Sequence, residues 1–402
     1  MNIKILTDLI KSAARETGFD VVGIVKPASL EEGERAIEAW VSEGRHGSMK
    51  YLEEFRARRA RFLSEFGEVK SVIVLGVNYY SNSVKRPALS VKEKPVQTKI
   101  LSERFSGRVA RYAWGKDYHQ VIAGKHEKLI TKLRGFCGTD FQAKSCVDTQ
   151  PVHERTAAVQ AGFGFAGKHT GLLNQRFGPW LFLSEITTNL ELEEDVPDPG
   201  TCGTCTHCQS ACPTGALDQD YRMDARRCIA YLTIEHKGPI PHEFRTHIKD
   251  WIFGCDECLV VCPFTSKSQE TSWKEFRAEE GAGPALNVAE LFEIRSNRDY
   301  EKRFRGTALL RAGRKQMLRN ACLVLGNSGD PAAIPYLAKA LEDPAPLVRQ
   351  HAAWGLGRFG GNGSEVTAIL QNVLTNETHP DVVKEIRSAI EGKFSGFQGH
   401  NV

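Results

Sequence analysis

The sequence predicts a multidomain protein in which an α/β domain is followed by a small cysteine-rich module and by a tail of α-helical repeats. Apolar runs of strand length lie in the N-terminal half, eight cysteines form two groups near the middle, and a helical pattern recurs about every 30–35 residues towards the C-terminus. A chain of 402 residues is long enough for two or three such domains. The predicted boundaries are 1–195 for the α/β domain, 196–268 for the cysteine-rich module, 269–313 for a basic connecting segment and 314–402 for the helical repeats.

The composition is that of an ordinary soluble globular protein, with 41% hydrophobic residues, 25% charged residues and a net charge of +4. No apolar run approaches the roughly 18 residues that a membrane-spanning helix needs. The N-terminal stretch MNIKILTDLIKSAARETG is amphipathic, and Asp8 and Lys11 interrupt any signal-peptide core. We therefore expect a cytoplasmic protein that contacts no membrane, and we expect a monomer.

Three apolar runs in the N-terminal domain predict buried strands. They are FDVVGIV (19–25), KSVIVLGVNYY (70–80) and PWLFLSEITTNL (179–190). Residues 81–100 are rich in Lys, Pro and Ser and predict an exposed loop, and residues 193–200 predict a linker into the next module.

Four cysteines crowd into the stretch TCGTCTHCQSACPTGA (201–216) with the bacterial ferredoxin spacing C-x2-C-x2-C-x3-C-P. In that pattern the fourth cysteine ligates a second cluster, so the stretch needs partners elsewhere. GCDECLVVCPF (254–264) repeats the same ending, and Cys228 fills the one missing position. Ferredoxin-type exchange assigns one [4Fe–4S] cluster to Cys202, Cys205, Cys208 and Cys262, and the other to Cys212, Cys228, Cys255 and Cys258.

A structural zinc ribbon is the alternative use of paired C-x2-C groups. It would leave four of the eight cysteines without a role and both prolines unexplained. The remaining cysteines, Cys137, Cys146 and Cys322, lack ligand spacing, and Cys322 falls on the apolar stripe of a predicted helix. Two clusters in one small module indicate a path for single electrons.

Short helices fill the C-terminal region, and RNACLVLG is echoed by RQHAAWGLG. Asp-Pro pairs at 330–331 and 343–344 separate the first helices. The pattern predicts a solenoid of helical pairs that resembles HEAT repeats, an architecture that binds large partners. The apolar positions that define the helices are Leu318/Ala321/Cys322/Leu325, Ile334/Leu337/Ala338/Leu341, Val348/Ala352/Gly355/Leu356, Val366/Ile369/Leu370/Val373 and Val382/Ile386/Ala389/Ile390.

The segment from Glu293 to Arg319 contains nine basic residues against three acidic ones. Such a local positive field attracts phosphate backbones. A solvated helix face explains a run of charges equally well, so the residues alone leave both interpretations open.

Two motifs of the N-terminal domain are incomplete. AGFGFAGKHT (161–170) has the glycines of a dinucleotide fingerprint, but a helical pattern precedes it where a strand is required. DYHQVIAG (117–124) lacks the glycine of the Asp-x-His-x-x-Gly loop that places a histidine on cobalamin. His119 is therefore either a pocket residue or an ordinary helix histidine.

Four stretches together resemble the epoxyqueuosine reductase family, and the resemblance covers nearly the whole chain. They are GRVARYAWGKDYH (107–119), VDTQPVHERTAAVQAGFGFAGKHTGLL (147–173), the cysteine-rich module and AYLTIEHKGPIP (230–241). The family completes queuosine at the wobble position of tRNA and is itself similar to reductive dehalogenases.

The resemblance implies a base-off cobalamin held by the α/β domain, which receives electrons through the two [4Fe–4S] clusters from an external low-potential donor. An epoxide on the cyclopentane ring is opened, and its oxygen leaves as water. The family pattern makes Asp148 the general acid, since an epoxide oxygen leaves poorly unless it is protonated. Burial against the corrin would have to raise its pKa from the usual value near 4. Without the resemblance, an Asp before Thr-x-Pro is a turn residue or a helix cap.

Further contacts follow from the same resemblance. Arg61 aligns with a cobalamin-contacting arginine, although Phe62 replaces the proline that follows it in the family. The other implied cobalamin residues are Arg111, Tyr112, Lys168 and Leu172, and for Tyr112 and Leu172 a core role is an open alternative.

A tRNA substrate gives the basic segment a purpose, because Arg and Lys contacts to phosphates position an anticodon stem-loop without reading its sequence. The residues expected to contact tRNA are Lys237, Arg303, Arg305, Arg311, Arg314 and Lys315.

The sequence is also compatible with two other functions. A corrinoid iron–sulfur reductase could act on a small molecule, although neither the basic segment nor the repeat tail would then have a purpose. A non-catalytic electron carrier with a docking tail would leave about 190 N-terminal residues unused.

Overall fold

The structure is a computed structural model that describes residues 2–82, 104–360 and 365–394. The predicted loop at 81–100 lies outside the described residues apart from its first two positions. The described α-helices are α1 (Ile3–Thr17), α2 (Glu31–Ser42), α3 (Phe55–Phe66), α4 (Tyr118–Cys137), α5 (Glu154–Gln160), α6 (His207–Ala211), α7 (Ile229–Ile234), α8 (His242–Arg245), α9 (Glu257–Val260), α10 (Val288–Leu291), α11 (Asn297–Arg303), α12 (Arg314–Asn327), α13 (Ile334–Ala340), α14 (Pro346–Gly357), α15 (Glu365–Leu374) and α16 (Pro380–Ile390). The described strands are β1 (Val21–Val25), β2 (Ser71–Asn78), β3 (Ser106–Val109), β4 (Ala143–Cys146), β5 (Phe165–Ala166), β6 (Leu172–Leu173), β7 (Leu181–Thr188), β8 (Trp251–Phe253) and β9 (Ala285–Asn287).

The chain forms two compact units whose segments alternate along the sequence. The first unit contains residues 1–83, 115–226 and 256–281. The second contains residues 84–114, 227–255 and 282–402. The cysteine-rich module thus contributes residues to both units, which its linear spacing did not predict.

A four-stranded antiparallel sheet in the order β1-β2-β7-β4 forms the centre of the first unit. The three strands predicted from apolar runs are β1, β2 and β7, and all three are confirmed. Every residue of β2 is buried because this strand has a neighbour on each side and helices on its faces. The strand β4 escaped prediction because AKSC is short and only partly apolar.

Helices cover both faces of this sheet. On one face, His126 of α4 lies between Ser145 of β4 and Ser184 of β7, at 2.7 and 3.0 Å from their hydroxyls. On the other face, α5 packs Ala157 and Ala158 into an apolar cluster with strand residues of β1, β2 and β4. These contacts anchor α4 and α5 on opposite faces of the sheet.

The second unit combines a small sheet with the helical tail. Strand β3 runs parallel to β8 and antiparallel to β9. The five helices α12–α16 match the five apolar patterns predicted for the tail, and Cys322 is fully buried as predicted. A Cβ at Gly355 would lie 3.0 Å from the backbone oxygen of Cys322, so glycine permits the close packing of α14 on α12.

No helix within the described ranges is long and apolar enough to cross a membrane.

Candidate active site and cluster-binding cysteines

Asp148 follows β4 by two residues and has an unusual backbone. Its φ of 56° lies in the left-handed region, which costs a non-glycine residue about 1 kcal/mol. Its backbone N–H donates a hydrogen bond of 2.7 Å to Oε1 of Glu154, the first residue of α5. This bond helps to hold the strained conformation.

The Asp148 carboxylate accepts hydrogen bonds from two neighbouring side chains of α4. The hydroxyl of Tyr118 donates to Oδ2 over 3.0 Å, and Nε2 of His119 donates to the same oxygen over 3.2 Å. The Tyr118 ring is stacked on Phe182 with the ring centroids 4.5 Å apart, which fixes its direction. The Asp148 side chain is held by these two bonds and is still 54% exposed to solvent.

His119 lies between two carboxylates. Asp117 is the N-cap of α4, and its Oδ1 accepts from both the backbone N–H and Nδ1 of His119, at 3.1 and 2.8 Å. Burial favours the neutral imidazole, but the hydrogen bonds to Asp117 and Asp148 outweigh it and raise the pKa of His119 to about 9. Burial likewise opposes ionisation of Asp117, but the bonds to His119 lower its pKa overall. His119 is consequently an imidazolium at pH 7, with each ring nitrogen donating to one carboxylate.

Asp148, the predicted acid, thus lies beside polar groups that sequence reasoning did not assign. The stretch DYH suggests a pocket or helix role for His119, but nothing in its sequence assigns a role to Asp117 or Tyr118. Glu185 is an acidic residue inside the apolar strand sequence LFLSEITT, and this is the sequence signal that could have pointed to it.

Arg61 lies on the exposed side of α3. The replacement of proline by Phe62 has a clear effect: the helix continues through this position, and the Phe62 ring is buried in the core with Lys144 Nζ 4.3 Å from its centroid. Arg111 and Tyr112 belong to the second unit, where Arg111 stacks on Trp114 and Tyr112 contacts Phe253. Contact of these residues with cobalamin stays a prediction.

Lys168 and Leu172 lie in and after the glycine-rich turn. Lys168 forms an ion pair of 3.0 Å with Asp220, whose hydrogen bond raises the lysine pKa. Leu172 is 8% exposed and packs in the apolar cluster beside α5, so a core role is sufficient for it.

A buried histidine in the same turn has a free donor. Gly171 N–H donates to Nδ1 of His169 over 3.0 Å, so the ring proton is on Nε2, which has no hydrogen-bond partner among the described residues. Burial lowers the pKa of His169 to about 4 and keeps the ring neutral. The periphery of cobalamin carries amide groups, and their oxygens would accept from such a donor. In this respect the turn fits the implied cofactor.

Four of the predicted ligands come together in the first unit. Burial raises the pKa of the Cys262 thiol, and the charges of Cys202 and Cys205 raise it further. Cys208 is buried at the start of α6, and α6 packs on α9. Aromatic side chains of Phe165 and Phe264 enclose the group together with Leu173.

Backbone amides point at the cysteine sulfurs. Lys168 N–H donates to Sγ of Cys202 over 3.4 Å, and Ala216 N–H donates to Sγ of Cys212 over 3.2 Å. Hydrogen bonds of this kind tune iron–sulfur clusters, and four thiols in an apolar shell suit a [4Fe–4S] cluster.

The ligands of the second predicted cluster are divided between the units. Cys212 and Cys258 belong to the first unit, whereas Cys228 and Cys255 belong to the second. Among the described residues, no three His, Cys, Asp or Glu side chains surround a point that would suit a single metal ion. The assignment of the eight cysteines to individual clusters stays a prediction from their spacing.

The basic residues predicted to contact tRNA lie in the second unit and differ in their surroundings. Arg303 and Arg311 are exposed and pair with Glu290 and Glu235, both within 2.9 Å. Within the described ranges, the basic residues of this segment that are exposed and form neither an ion pair nor a hydrogen bond through their side chains are Arg295, Arg298, Lys302, Arg305 and Lys315.

Two of the predicted tRNA contacts also have partners within the protein. Arg314 is 8% exposed, forms a two-pronged ion pair with Asp343 and donates to the Ile294 oxygen over 2.8 Å. The Nζ of Lys237 donates to the backbone oxygens of Ile234 and Arg311 at 3.1 and 3.2 Å. Lys237 is nevertheless exposed, whereas Arg314 is buried, and charge alone does not report that difference.

Three family models match successive parts of the chain. Residues 59–149 match "Epoxyqueuosine reductase QueG, DUF1730", residues 201–265 match the "4Fe-4S double cluster binding domain", and residues 305–391 match "HEAT repeats". The chain is therefore a multidomain protein with a double-cluster iron–sulfur domain and a C-terminal HEAT-repeat region, as the sequence predicted. All eight predicted ligands fall within the second match.

Individual proteins agree with these matches. The epoxyqueuosine reductase of Xanthomonas campestris pv. campestris is 36% identical over 354 residues, which cover 87% of this chain and 95% of the relative. A crystal structure of epoxyqueuosine reductase with an epoxyqueuosine-modified stem loop of tRNA-Tyr has a TM-score of 0.83 at 30% identity and covers 97% of this chain and 99% of its own. The Bacillus subtilis epoxyqueuosine reductase, solved with its catalytic aspartate loop swung out of the active site, has a TM-score of 0.84 at 28% identity, with coverage of 97% and 100%. The chain belongs to the epoxyqueuosine reductase family.

Proposed function

We propose that this protein reduces epoxyqueuosine to queuosine at the wobble position of tRNA, with Asp148 as the general acid. The observation that supports this most directly is the half-exposed Asp148 carboxyl, held by Tyr118 and His119 within a chain that matches the family along most of its length. The Bacillus subtilis relative likewise has a catalytic aspartate on a loop.

The reaction needs two electrons and two protons. Both carbon–oxygen bonds of the epoxide break, a carbon–carbon double bond forms, and the oxygen takes both protons and leaves as water. Asp148 donates the first proton when the ring opens, because an alkoxide is a poor leaving group. The Asp148 carboxylate receives this proton from the His119 imidazolium, which is directly bonded to it. His119 then takes a second proton from solvent and passes it through Asp148 for the second transfer.

The residues around Asp148 orient its carboxyl group for proton donation. Tyr118 and His119 bind the same carboxylate oxygen, Oδ2, and so fix the direction of the carboxyl. Asp117 keeps His119 charged and correctly oriented. An acid held in this way loses little entropy when it reacts.

The cofactors supply the electrons. Cobalamin, when bound, supplies a strongly reducing metal centre for opening the epoxide, and the residues proposed to hold it are Arg61, Arg111, Tyr112, Lys168 and Leu172, together with the His169 donor. Two [4Fe–4S] clusters on the eight cysteines would deliver single electrons from an external low-potential donor. The proposed tRNA contacts are the exposed Lys237, Arg303, Arg305, Arg311 and Lys315, whose charges suit phosphates.

The decisive experiment is an anaerobic turnover assay with cobalamin, a low-potential reductant and tRNA that carries epoxyqueuosine. We expect about eight irons per chain and conversion of the modified nucleoside to queuosine, measured by mass spectrometry of digested tRNA. Conversion of a small epoxide or halide but not of the tRNA would favour the small-molecule alternative. If the purified protein were colourless and held zinc in place of iron, the proposed path of electrons through iron–sulfur clusters would be excluded.

A further inference from the structure

The proposed acid lies at the exposed tip of a short loop whose two ends are buried. Val147 and Val152, on either side of the tip, are 6% and 9% exposed, and Val152 packs in the apolar cluster with Phe62. Asp148 and Thr149 between them are exposed. The apolar ends fix where the loop leaves and rejoins the core, but they do not fix the conformation of the exposed residues between them.

The backbone at this tip has an uncommon and strained conformation. The Thr149 N–H donates to the Val147 oxygen over 2.6 Å, which is the hydrogen-bond pattern of a γ-turn with Asp148 at its centre. Because the φ of Asp148 is positive, at 56°, this is the rare form of the turn and not the common inverse form. A non-glycine residue in such a conformation is disfavoured by about fivefold or more, so contacts with the rest of the protein must select it.

Two side chains from separate helices bind the peptide groups of this turn. Oε1 of Glu154, at the start of α5, accepts the Asp148 N–H over 2.7 Å. Nη2 of Arg58, on α3, donates to the Thr149 oxygen over 3.1 Å. The same guanidinium is held by a second backbone oxygen, because its Nη1 donates to Tyr51 over 3.4 Å. The turn is therefore held at two consecutive residues by groups that lie outside the loop tip.

The bond to Glu154 needs an acceptor oxygen but no charge. Burial raises the pKa of Glu154 to about 8, so the group is largely a neutral carboxylic acid at pH 7. A neutral carboxyl keeps a carbonyl oxygen that accepts an N–H, and an ionised carboxyl accepts it as well. The contact with the Asp148 backbone is therefore available in both protonation states of Glu154.

We propose that Glu154 and Arg58 are positioning residues that hold Asp148 in its strained turn. The Asp148 carboxyl thereby stays beside Tyr118 and His119. This rests on the proposed role of Asp148 as the general acid. Without the two contacts the backbone relaxes to a negative φ, which turns the Cα–Cβ bond of Asp148 and carries the carboxyl away from its partners. Because a small displacement of a catalytic group costs a large factor in rate, two residues that transfer no proton themselves then control turnover.

The main test compares Glu154→Leu, which has no acceptor, with Glu154→Gln, which keeps one. In anaerobic turnover of epoxyqueuosine-containing tRNA, we expect Glu154→Leu to lower kcat by about thirtyfold and to leave KM for tRNA within about twofold of wild type. Glu154→Gln should stay within about twofold of wild type in both constants, because its amide oxygen still accepts the Asp148 N–H. Glu127→Leu, on the exposed side of α4, is the matched control and should behave as wild type.

The second contact is tested by Arg58→Met, because methionine keeps much of the aliphatic stem but has no donor. We expect kcat to fall by about fivefold, which is less than for Glu154→Leu because Arg58 is partly exposed and water can replace its donor. Arg56→Met is the control on the same helix, since the Arg56 side chain is 78% exposed and pairs with Glu38. It should keep the wild-type kcat.

A second readout needs neither cofactor nor substrate. In wild type the amides of Asp148 and Thr149 are hydrogen-bonded and should exchange slowly with deuterated water. In Glu154→Leu, exchange at residues 147–152 should become about tenfold faster, while β2 and β7 keep their wild-type rates. Glu154→Gln should exchange as wild type does. If Glu154→Leu does not fold, Arg58→Met provides the same local comparison, because it alters a partly exposed side chain.

Three results would overturn the proposal: a wild-type kcat in Glu154→Leu, an equal loss of kcat in Glu154→Gln and Glu154→Leu, or wild-type exchange at residues 147–152 in both Glu154→Leu and Arg58→Met. Failure of the wild-type protein to reduce epoxyqueuosine in tRNA would instead count against the proposed function, since the exchange measurements do not depend on turnover.

Discussion

Among the described residues, a buried ionisable group of the acid site lacks hydrogen-bond partners, whereas one in the helical-repeat region is fully hydrogen-bonded. In the acid site, Glu185 has no hydrogen-bond partner in the described ranges, and Asp148 has a left-handed backbone. In the repeat region, Arg319 is fully buried and donates to the backbone oxygens of Leu232, His236 and Gly238 at 2.6–2.7 Å. Its burial is as complete as that of Glu185, yet its hydrogen-bond capacity is used.

This difference separates structural polar groups from functional ones. The Arg319 guanidinium has a single favourable arrangement, because it can only donate hydrogen bonds and the backbone oxygens around it can only accept them. The pKa of Arg319 falls to about 9 through burial, but the group remains charged at pH 7. The acid site is less completely satisfied, and its groups have shifted proton affinities: the pKa of His119 rises to about 9 and that of Glu154 to about 8.

Removing the acid gives the largest effect on chemistry that this comparison predicts. We expect Asp148→Asn to lower kcat by about a thousandfold, since proton donation to the leaving oxygen is lost. Asparagine tolerates a positive φ, and its N–H can still donate to Glu154, so iron content and thermal stability should match wild type. Anaerobic turnover of the modified tRNA measures the first effect, and iron analysis and calorimetry measure the second.

Asp140→Asn is the matched control, since Asp140 is exposed and lies just before β4. It should retain wild-type turnover. If Asp148→Asn were as active as wild type, Asp148 would not be the general acid, and the acid site would not differ functionally from the repeat region.

Removing a satisfied buried charge should instead affect stability. Arg319→Leu removes the guanidinium donor from the backbone oxygens of Leu232, His236 and Gly238, so we expect the free energy of unfolding to fall by about 3 kcal/mol. Urea unfolding followed by tryptophan fluorescence measures this loss. Arg295→Leu on the exposed surface should change it by less than about 0.5 kcal/mol. If both variants were equally stable, the hydrogen bonds of the buried Arg319 would not contribute to the free energy of unfolding.

Exposed charges in the second unit should produce the smallest effects, which appear in binding alone. Arg305→Glu or Lys315→Glu should weaken tRNA binding several-fold and lower the slope of log affinity against log salt by about one, with kcat unchanged. Titrations at several salt concentrations measure both quantities. Lys128→Glu, a charge reversal on the exposed side of α4, is the control. If it weakens binding equally, the basic segment has no special role.

Much of the fold follows from local sequence patterns. The three long strands were predictable because each is a run of apolar residues, and the tail helices were predictable because their apolar residues recur every three or four positions. The double-cluster domain was predictable because metal ligands must come at fixed spacings along a tight loop. Short strands such as β4 and β8 carry too few residues for such a pattern.

The sequence by itself determined the family, the three kinds of domain and the cysteine spacing. Each is read from local motifs or periodic patterns, which involve residues close together along the chain. Only the tertiary structure decided which charges are buried: Arg314 and Arg319 lie inside the fold, while Arg305 beside them in sequence is exposed. It also brought Asp148, His119 and Glu185 from separate segments to one end of a sheet. Their proton affinities arise from burial and mutual charge, and both depend on distances in space that no spacing along the chain records.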